Sequence, residues 1–168
     1  MLAACLFTTG CGRQLWYAPP AQRPSLGEAS LGSLSHFVFM SQPDADRYIV
    51  QGMRPKSEGP WRWAHDHPVL RFYVPEVGRV NFQMDFSLPE SNFHQTGPVT
   101  MTLAINGRFF DRVRFDKPGQ QQYTHSVPVE LIHPNDVNLV AITPDKTSGP
   151  PQSGERLGFV LTSAGFAE

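Results

Sequence analysis

The sequence predicts an all-β fold, a two-sheet antiparallel sandwich of about eight or nine strands. Three observations carry this reading. First, Val99 to Phe115 reads VTMTLAINGRFFDRVRF. Val99, Met101, Leu103 and Ile105 alternate with Thr100, Thr102, Ala104 and Asn106, which puts four apolar side chains on one face of a strand. Asn106-Gly107 tolerates positive φ, as a type I′ hairpin turn requires, so the chain reverses there and returns through Arg108, Phe109 and Phe110. Apolar parity then shifts, from Phe110 to Val113 and Phe115, and a bulge or a short break near Asp111-Arg112 accounts for the shift. Second, Arg79 to Leu88 alternates in the same way, with Val80, Phe82, Met84, Phe86 and Leu88 on one face. Third, 16 prolines, 14 glycines and 12 phenylalanines in 168 residues suit many turns between aromatic-rich strands.

In chain order, His36 to Met40 (HFVFM) is a short apolar strand, and Ser41 to Asp46 is a turn built on Pro43 and Asp44. Arg47 to Val50 is a second strand, ended by Gly52. Arg54 to Pro60 is polar and turn-rich, and Trp61-Arg62-Trp63-Ala64 and His65-Asp66-His67-Pro68 follow it. Val69 to Val74 (VLRFYV) is a buried strand closed by Pro75. After Arg79 to Leu88, Pro89 to Pro98 reads as a loop, and the hairpin comes next. Gln120 to Val129 is a strand with Tyr123, His125 and Val127 alternating; Pro128 places it at an edge or a strand end. Leu131 to Asp136 makes a turn, and Val137 to Ile142 (VNLVAI) is a strand. Thr143 to Glu155 is a Pro/Gly/Ser loop. Leu157 to Thr162 (LGFVLT), running on toward Phe166, is the last strand. No stretch carries a helical apolar stripe. A jelly-roll arrangement removes most exposed edges. Met101, Leu103, Val80, Phe82, Phe86, Val137, Leu139 and Phe159 are the expected core.

The N-terminus points to the cell envelope. Leu2 to Gly10 is short and apolar and precedes Cys11-Gly12, which resembles the end of a bacterial lipoprotein signal with Cys11 as the lipidated residue. Leu2-Ala3-Ala4-Cys5 fits the lipobox pattern better, with almost no apolar segment ahead of it; the competing reading is a greasy disordered tail with two incidental cysteines. Neither has a positive n-region, so the true start is expected upstream of Met1. The domain division is thus 1–11 signal remnant, 12–35 Pro- and Ser-containing tether, and 36–168 sandwich. A flexible tether of that size reaches roughly 25 Å on average. Gly12 in place of aspartate after the cysteine favours the outer membrane over inner-membrane retention.

Charge and cysteine content exclude several classes. The formal net charge of −1 provides no field for nucleic acid or an acidic bilayer. Both cysteines, Cys5 and Cys11, lie at the N-terminus, so there is no disulfide framework, cysteine metal site or cysteine nucleophile in the domain. No serine sits in a glycine elbow and no glycine loop cradles phosphate, so neither catalysis nor a cofactor is expected. No pair stands out among Asp44, Asp46, Asp85, Asp111 and Asp116 as glycosidase acids. Arg108, Arg112, Arg114 and Lys117 interleave with Asp111 and Asp116, the pattern of a solvated, self-paired face.

The richest cluster is Trp61-Arg62-Trp63 with His65-Asp66-His67. In an extended segment the odd residues share one face. Indole rings stack on the apolar faces of sugars, and Arg62, Asp66 or His65 could bond the hydroxyls. The competing reading is a core tryptophan beside a polar turn. His65-x-His67 also has metal-ligand spacing, but two imidazoles need a third ligand from His36, His94, His125 or His133, and no metal site is assigned.

Several motifs in order carry a family resemblance. They are Gly52, Trp61-Arg62-Trp63, Val69-Leu70-Arg71-Phe72, Ile105-Asn106-Gly107, Val127-Pro128-Val129-Glu130-Leu131, Asn138-Leu139-Val140 and Arg156-Leu157-Gly158-Phe159. Together they resemble galactose-binding-like jelly-roll modules, which in bacteria accompany envelope sugar proteins. The resemblance implies a non-catalytic module, commonly sugar-binding and sometimes structural, and a core position for Trp63. Family members often carry an acidic-x-Arg element before the final Leu-Gly; here Glu155 and Arg156 are adjacent. The expected function is an envelope module binding carbohydrate through Trp61, Arg62, Trp63, His65 and Asp66. The alternatives are a structural or protein-interaction lipoprotein, and a metal-dependent enzyme.

Overall fold

A computed structural model describes residues 34–55, 59–75, 78–149 and 155–167. The expected signal remnant and the tether as far as residue 33 lie outside the described residues. Leu34 is buried in the core, and the Ser35 carbonyl accepts the Tyr73 amide at 3.2 Å, so the fold is already engaged ahead of His36.

Among the described residues nine strands run β1 (Phe37–Phe39), β2 (Ile49–Met53), β3 (Arg62–Val74), β4 (Asn81–Leu88), β5 (Val99–Ile105), β6 (Arg108–Phe115), β7 (Gly119–Ser126), β8 (Asp136–Pro144) and β9 (Phe159–Ala167). Every pairing is antiparallel, in the hydrogen-bonded order β6-β5-β8-β3-β9-β4-β7, with β1 on β9 and β2 on β3. β3 joins two layers: Arg62–Ala64 pairs with β9, and Val69–Val74 pairs with β8. Aromatic rings show the layers packed face to face. Phe72 of β3 meets Phe82 of β4 at 6.4 Å and Phe166 of β9 at 5.8 Å, and Phe86 of β4 meets Phe115 of β6 at 5.0 Å. This is the all-β antiparallel sandwich that the alternation predicts, in the jelly-roll arrangement that the family resemblance implies.

The local reasons are those the sequence offers. β4 and β5 bury every second residue. Asn106 and Gly107 turn the hairpin at φ 50° and 76°. Leu103 faces Asp111 while Ala104 faces Phe109, so Phe110 is the bulged residue, one position before the expected one. The bulge sends Phe110 inward and leaves Phe109 outside.

Several expectations need correction. β2 runs through Gly52 to Met53, and β7 stops at Ser126, with Val129 in a 3₁₀ turn over Val129–Leu131. Glu90–Thr96, read as loop, is a short α-helix, α1; none of its residues is buried, so it has no apolar stripe to read. Arg47 and Tyr48, read as strand, close a 3₁₀ turn over Ala45–Tyr48, and β2 starts at Ile49. In β8, Leu139 is exposed and Val137 only half-buried, while Asn138, Val140 and Ile142 point inward. VNLVAI is apolar on both faces, and a buried polar residue sets its parity. The other expected core residues, Val80, Phe82, Phe86, Met101, Leu103 and Phe159, are buried.

The outermost strands of the hydrogen-bonded path, β6 and β7, meet through Asp111. Its Oδ2 accepts from Tyr123 Oη at 2.7 Å and lies 2.8 Å from His125 Nδ1, and its Oδ1 accepts the Arg112 amide at 2.7 Å. Partial burial pushes the carboxyl pKa up, but the bonds from Tyr123 and the Arg112 amide, with the charge and bond of His125, outweigh it and leave the pKa lowered from 3.8. Burial and the neighbouring carboxylate raise the Tyr123 hydroxyl well above its ordinary value, keeping it a donor. A depressed carboxylate pKa stabilises the fold above the unfolded value and loses that contribution as pH falls through the folded value. Asp111→Asn is therefore expected to cost about 1–3 kcal/mol at pH 7. The urea midpoints of wild type and variant should begin to draw together as pH falls below about 4, and meet only below the folded-state pKa. A gap that persists unchanged at pH 3 would show that the charge of Asp111 contributes nothing.

Candidate functional site

The start of β3 sorts its residues by parity. Arg62 and Ala64 point inward, and Trp61, Trp63 and His65 outward. Arg62 is 5% exposed; its Nη1 donates to the Pro55 carbonyl at 2.5 Å and pairs with Asp46 Oδ1 at 2.7 Å. It pins the chain before β3 and the first 3₁₀ turn to the sheet, on the face opposite Trp61 and Trp63. The Trp61 and Trp63 rings meet edge to face at 6.3 Å. A side chain at Gly59 would stand 2.9 Å from Trp61 Nε1, so that glycine leaves room for the indole.

Trp63 is half-buried rather than a core residue. It walls a groove of about 520 Å³ whose other lining includes Ser91, Asn92 and Gln95 of α1, with Ser148 and Leu157. Ser148 and Leu157 form an isolated antiparallel bridge, with mutual amide-to-carbonyl bonds of 2.9 and 2.6 Å. The Gly158 amide donates to the Ala64 carbonyl at 2.8 Å, which ties this bridge to β3 beside the tryptophans. Proline and glycine set the ends of α1: Pro89 precedes it, and Gly97 at φ 68° ends it.

A second groove of about 390 Å³ shares Gln95 with the first and is lined by Asp66, Asp145, Lys146, Thr147 and Arg156. Most of its charges hold the walls. Lys146 Nζ donates to the Thr96 and Pro98 carbonyls at 3.0 and 2.8 Å, just past the last turn of α1. Asp145 accepts the Thr100 amide at 2.7 Å, and Arg156 donates to Thr147 Oγ1 at 2.9 Å and to its carbonyl at 3.1 Å. Asp66 is exposed at the rim.

The two histidines part company. His65 Nδ1 lies 3.2 Å from the Arg156 carbonyl and its Nε2 3.9 Å from Glu155, whereas His67 Nδ1 contacts Thr143 Oγ1 at 2.7 Å. Glu155 is held by both Nε and Nη2 of Arg54. That hydrogen bonding, opposed by desolvation and aided by the charges of Arg54 and His65, keeps the Glu155 carboxyl below its ordinary pKa. Among the described residues no group of three or more His, Cys, Asp or Glu gathers as a metal site. On the hairpin, Arg114 pairs with Asp116 at 2.7 Å, and Arg108 donates to the Glu130 backbone carbonyl at 2.7 Å.

Of the five residues the sequence selects, the structure brings Trp61, Trp63 and His65 to one face, sets Asp66 at the adjoining rim and removes Arg62 to the interior. The groove residues Ser91, Asn92, Gln95 and Ser148 carry no sequence signal, because they lie on a polar helix and a loop far from β3 in the chain.

No protein-family model matches this chain, and no curated protein matches it. Among solved structures, a family 35 carbohydrate-binding module in complex with a glucuronic acid-containing disaccharide is 14% identical, covers 80% of this chain and 94% of its own, and has a TM-score of 0.49. An acetyl xylan esterase from the rumen bacterium Butyrivibrio proteoclasticus is 14% identical over 79% of this chain, with a TM-score of 0.49. A family GH115 4-O-methyl-α-glucuronidase is 10% identical over 64% of this chain, with a TM-score of 0.43. The chain spans only 32% of the esterase and 14% of the glucuronidase.

Proposed function

We propose that this protein is a non-catalytic carbohydrate-binding module of the bacterial cell envelope. The observation that supports it is the half-exposed Trp63, braced by Trp61, walling a groove whose other polar side chains are hydroxyls and amides. An indole buries the C–H surface of a sugar, while amide and hydroxyl groups exchange hydrogen bonds with its ring substituents. A groove of about 520 Å³ falls within the range of small-ligand sites, roughly 300–1,000 Å³. Trp63→Ala is expected to lower glycan affinity at least tenfold, with the circular dichroism spectrum unchanged. Isothermal titration against the tightest ligand from a glycan array is the measurement. A wild-type protein silent across the array would overturn this reading in favour of a structural or protein-interaction role.

Membrane attachment through a lipid on Cys11, with the domain facing the periplasm or the outer membrane, is part of the same proposal and rests on the N-terminal sequence alone. Cells expressing the gene from its true start should incorporate a fatty-acid analogue into the protein, and Cys11→Ala should abolish the label. Label retained by Cys11→Ala and lost by Cys5→Ala would move the anchor to the earlier cysteine.

A further inference from the structure

We propose that the groove between α1 and the Ser148–Leu157 bridge is a subsite for one neutral sugar ring, a pyranose presenting hydroxyls and no carboxylate. This rests on the carbohydrate-binding reading above and names the ligand class and the residues that select it.

The first ground is the charge of the lining. Among the described residues no ionisable side chain lines this groove: the polar side chains there are Ser91, Asn92, Gln95 and Ser148, beside the Trp63 indole and Leu157. Amides and hydroxyls offer both donors and acceptors, which matches a sugar hydroxyl that is both at once. A carboxylate taken from water into the same surroundings finds, among the described lining residues, no cation to offset its desolvation. The basic groups next door are engaged with the protein, Lys146 on two carbonyls and Arg156 on Thr147.

The second ground is Ser148. It is 6% exposed, and its Oγ is one of two buried side-chain polar atoms without a hydrogen-bond partner among the described residues. Its backbone amide and carbonyl are both taken by Leu157, so the hydroxyl is the one group of this residue left unsatisfied. A buried hydroxyl without a partner weakens the folded state, and native proteins retain few of them. Ser148 lines the groove, and rotation about χ1 exchanges its hydroxyl among staggered positions without moving the bridged backbone. A ligand hydroxyl supplies the missing partner. Among the described residues the Ser148 hydroxyl thus has no hydrogen-bond partner, and a bound sugar would supply one.

The experiment titrates the full-length domain with methyl glycosides of xylose, glucose and galactose, and with the matching methyl glucuronide and galacturonide. At least one neutral glycoside should bind, with its uronide at least tenfold weaker. Ser148→Ala should weaken the neutral ligand about five- to tenfold. Its melting temperature should stay equal to wild type or rise, because an unsatisfied buried hydroxyl has been removed. Gln95→Ala provides a second variant on an exposed helix position, expected to weaken the same ligand and leave the fold intact. Uronides that bind as tightly as neutral glycosides would overturn the proposal, as would a Ser148→Ala variant of unchanged affinity. In either case a binding loss on Trp63→Ala would leave the carbohydrate reading standing. Silence of the wild type toward every glycoside and every arrayed glycan would remove both.

Discussion

Phe82→Ala is expected to destabilise the domain by about 3–5 kcal/mol, the cost of emptying a large aromatic site in a packed core. For a domain of this size that corresponds to a fall in melting temperature of roughly 6–20 °C. Phe82 is fully buried and sits where the two layers meet. Its ring lies 6.4 Å from Phe72, 5.6 Å from Phe166 and 6.4 Å from Tyr123, so a single truncation removes contacts to β3, β9 and β7 together. Those neighbours are anchored in separate strands and can close the void only by bending the sheets toward each other, which close packing resists. Phe109→Ser provides the contrast. Phe109 is 67% exposed, and its loss should change stability by no more than about 0.5 kcal/mol. Urea denaturation of both variants is the check. Equal and small effects would mean that the β4 face is not the centre of the core.

Phe82 was legible because β4 alternates cleanly over its whole length, and one face of a strand can be read when only one face is apolar. The same holds for β5 and its Asn106-Gly107 turn. β8 was not legible for the opposite reason. Val137 and Leu139 on one parity compete with Val140 and Ile142 on the other, and the balance is tipped by Asn138, whose polarity argued against an inward position. α1 was invisible because it packs no apolar stripe; a polar seven-residue segment between two prolines gives the same pattern as a loop.

The site was legible only where it lies within one strand. Parity along β3 groups Trp61, Trp63 and His65, and the structure keeps that grouping. The same parity turns Arg62 inward, against its reading as a sugar contact, and the interior supplies its partners: the Pro55 carbonyl and Asp46. The opposite wall of the groove comes from α1 and from the Ser148–Leu157 bridge. Their approach to Trp63 depends on backbone bonds such as Gly158 to Ala64, which no local pattern announces. Glu155 and Arg156 illustrate the same limit. Adjacent in sequence, they act apart, Glu155 on Arg54 and Arg156 on Thr147.

Asn138→Leu is expected to cost roughly 3–4 kcal/mol although it preserves volume and adds apolar surface, because buried polar groups then lose their partners. Asn138 is fully buried and uses its whole hydrogen-bonding capacity. Its Oδ1 accepts from the His133 amide at 2.7 Å and from Asn106 Nδ2 at 2.8 Å; its Nδ2 donates to the His133 and Asp136 carbonyls at 2.8 and 3.1 Å. Asn106 in turn donates to the Leu131 carbonyl and accepts the Leu139 amide, so the pair ties the hairpin turn to the entry of β8. The loss should be smaller than four separate bonds, since His133 and Asp136 lie at the surface and water can reach part of the vacated network. Asn138→Asp separates the terms. It keeps both accepted bonds, but it turns two donated bonds into contacts between a carboxylate and carbonyl oxygens. Burial and those oxygens should raise the new carboxyl pKa, so the destabilisation should shrink as pH falls toward protonation. Urea midpoints at pH 5 and pH 7 test this, and hydrogen exchange of the His133 and Leu139 amides reports whether the turn has come loose from β8. A leucine variant as stable as wild type would mean that apolar packing, and not the asparagine pair, fixes the parity of β8.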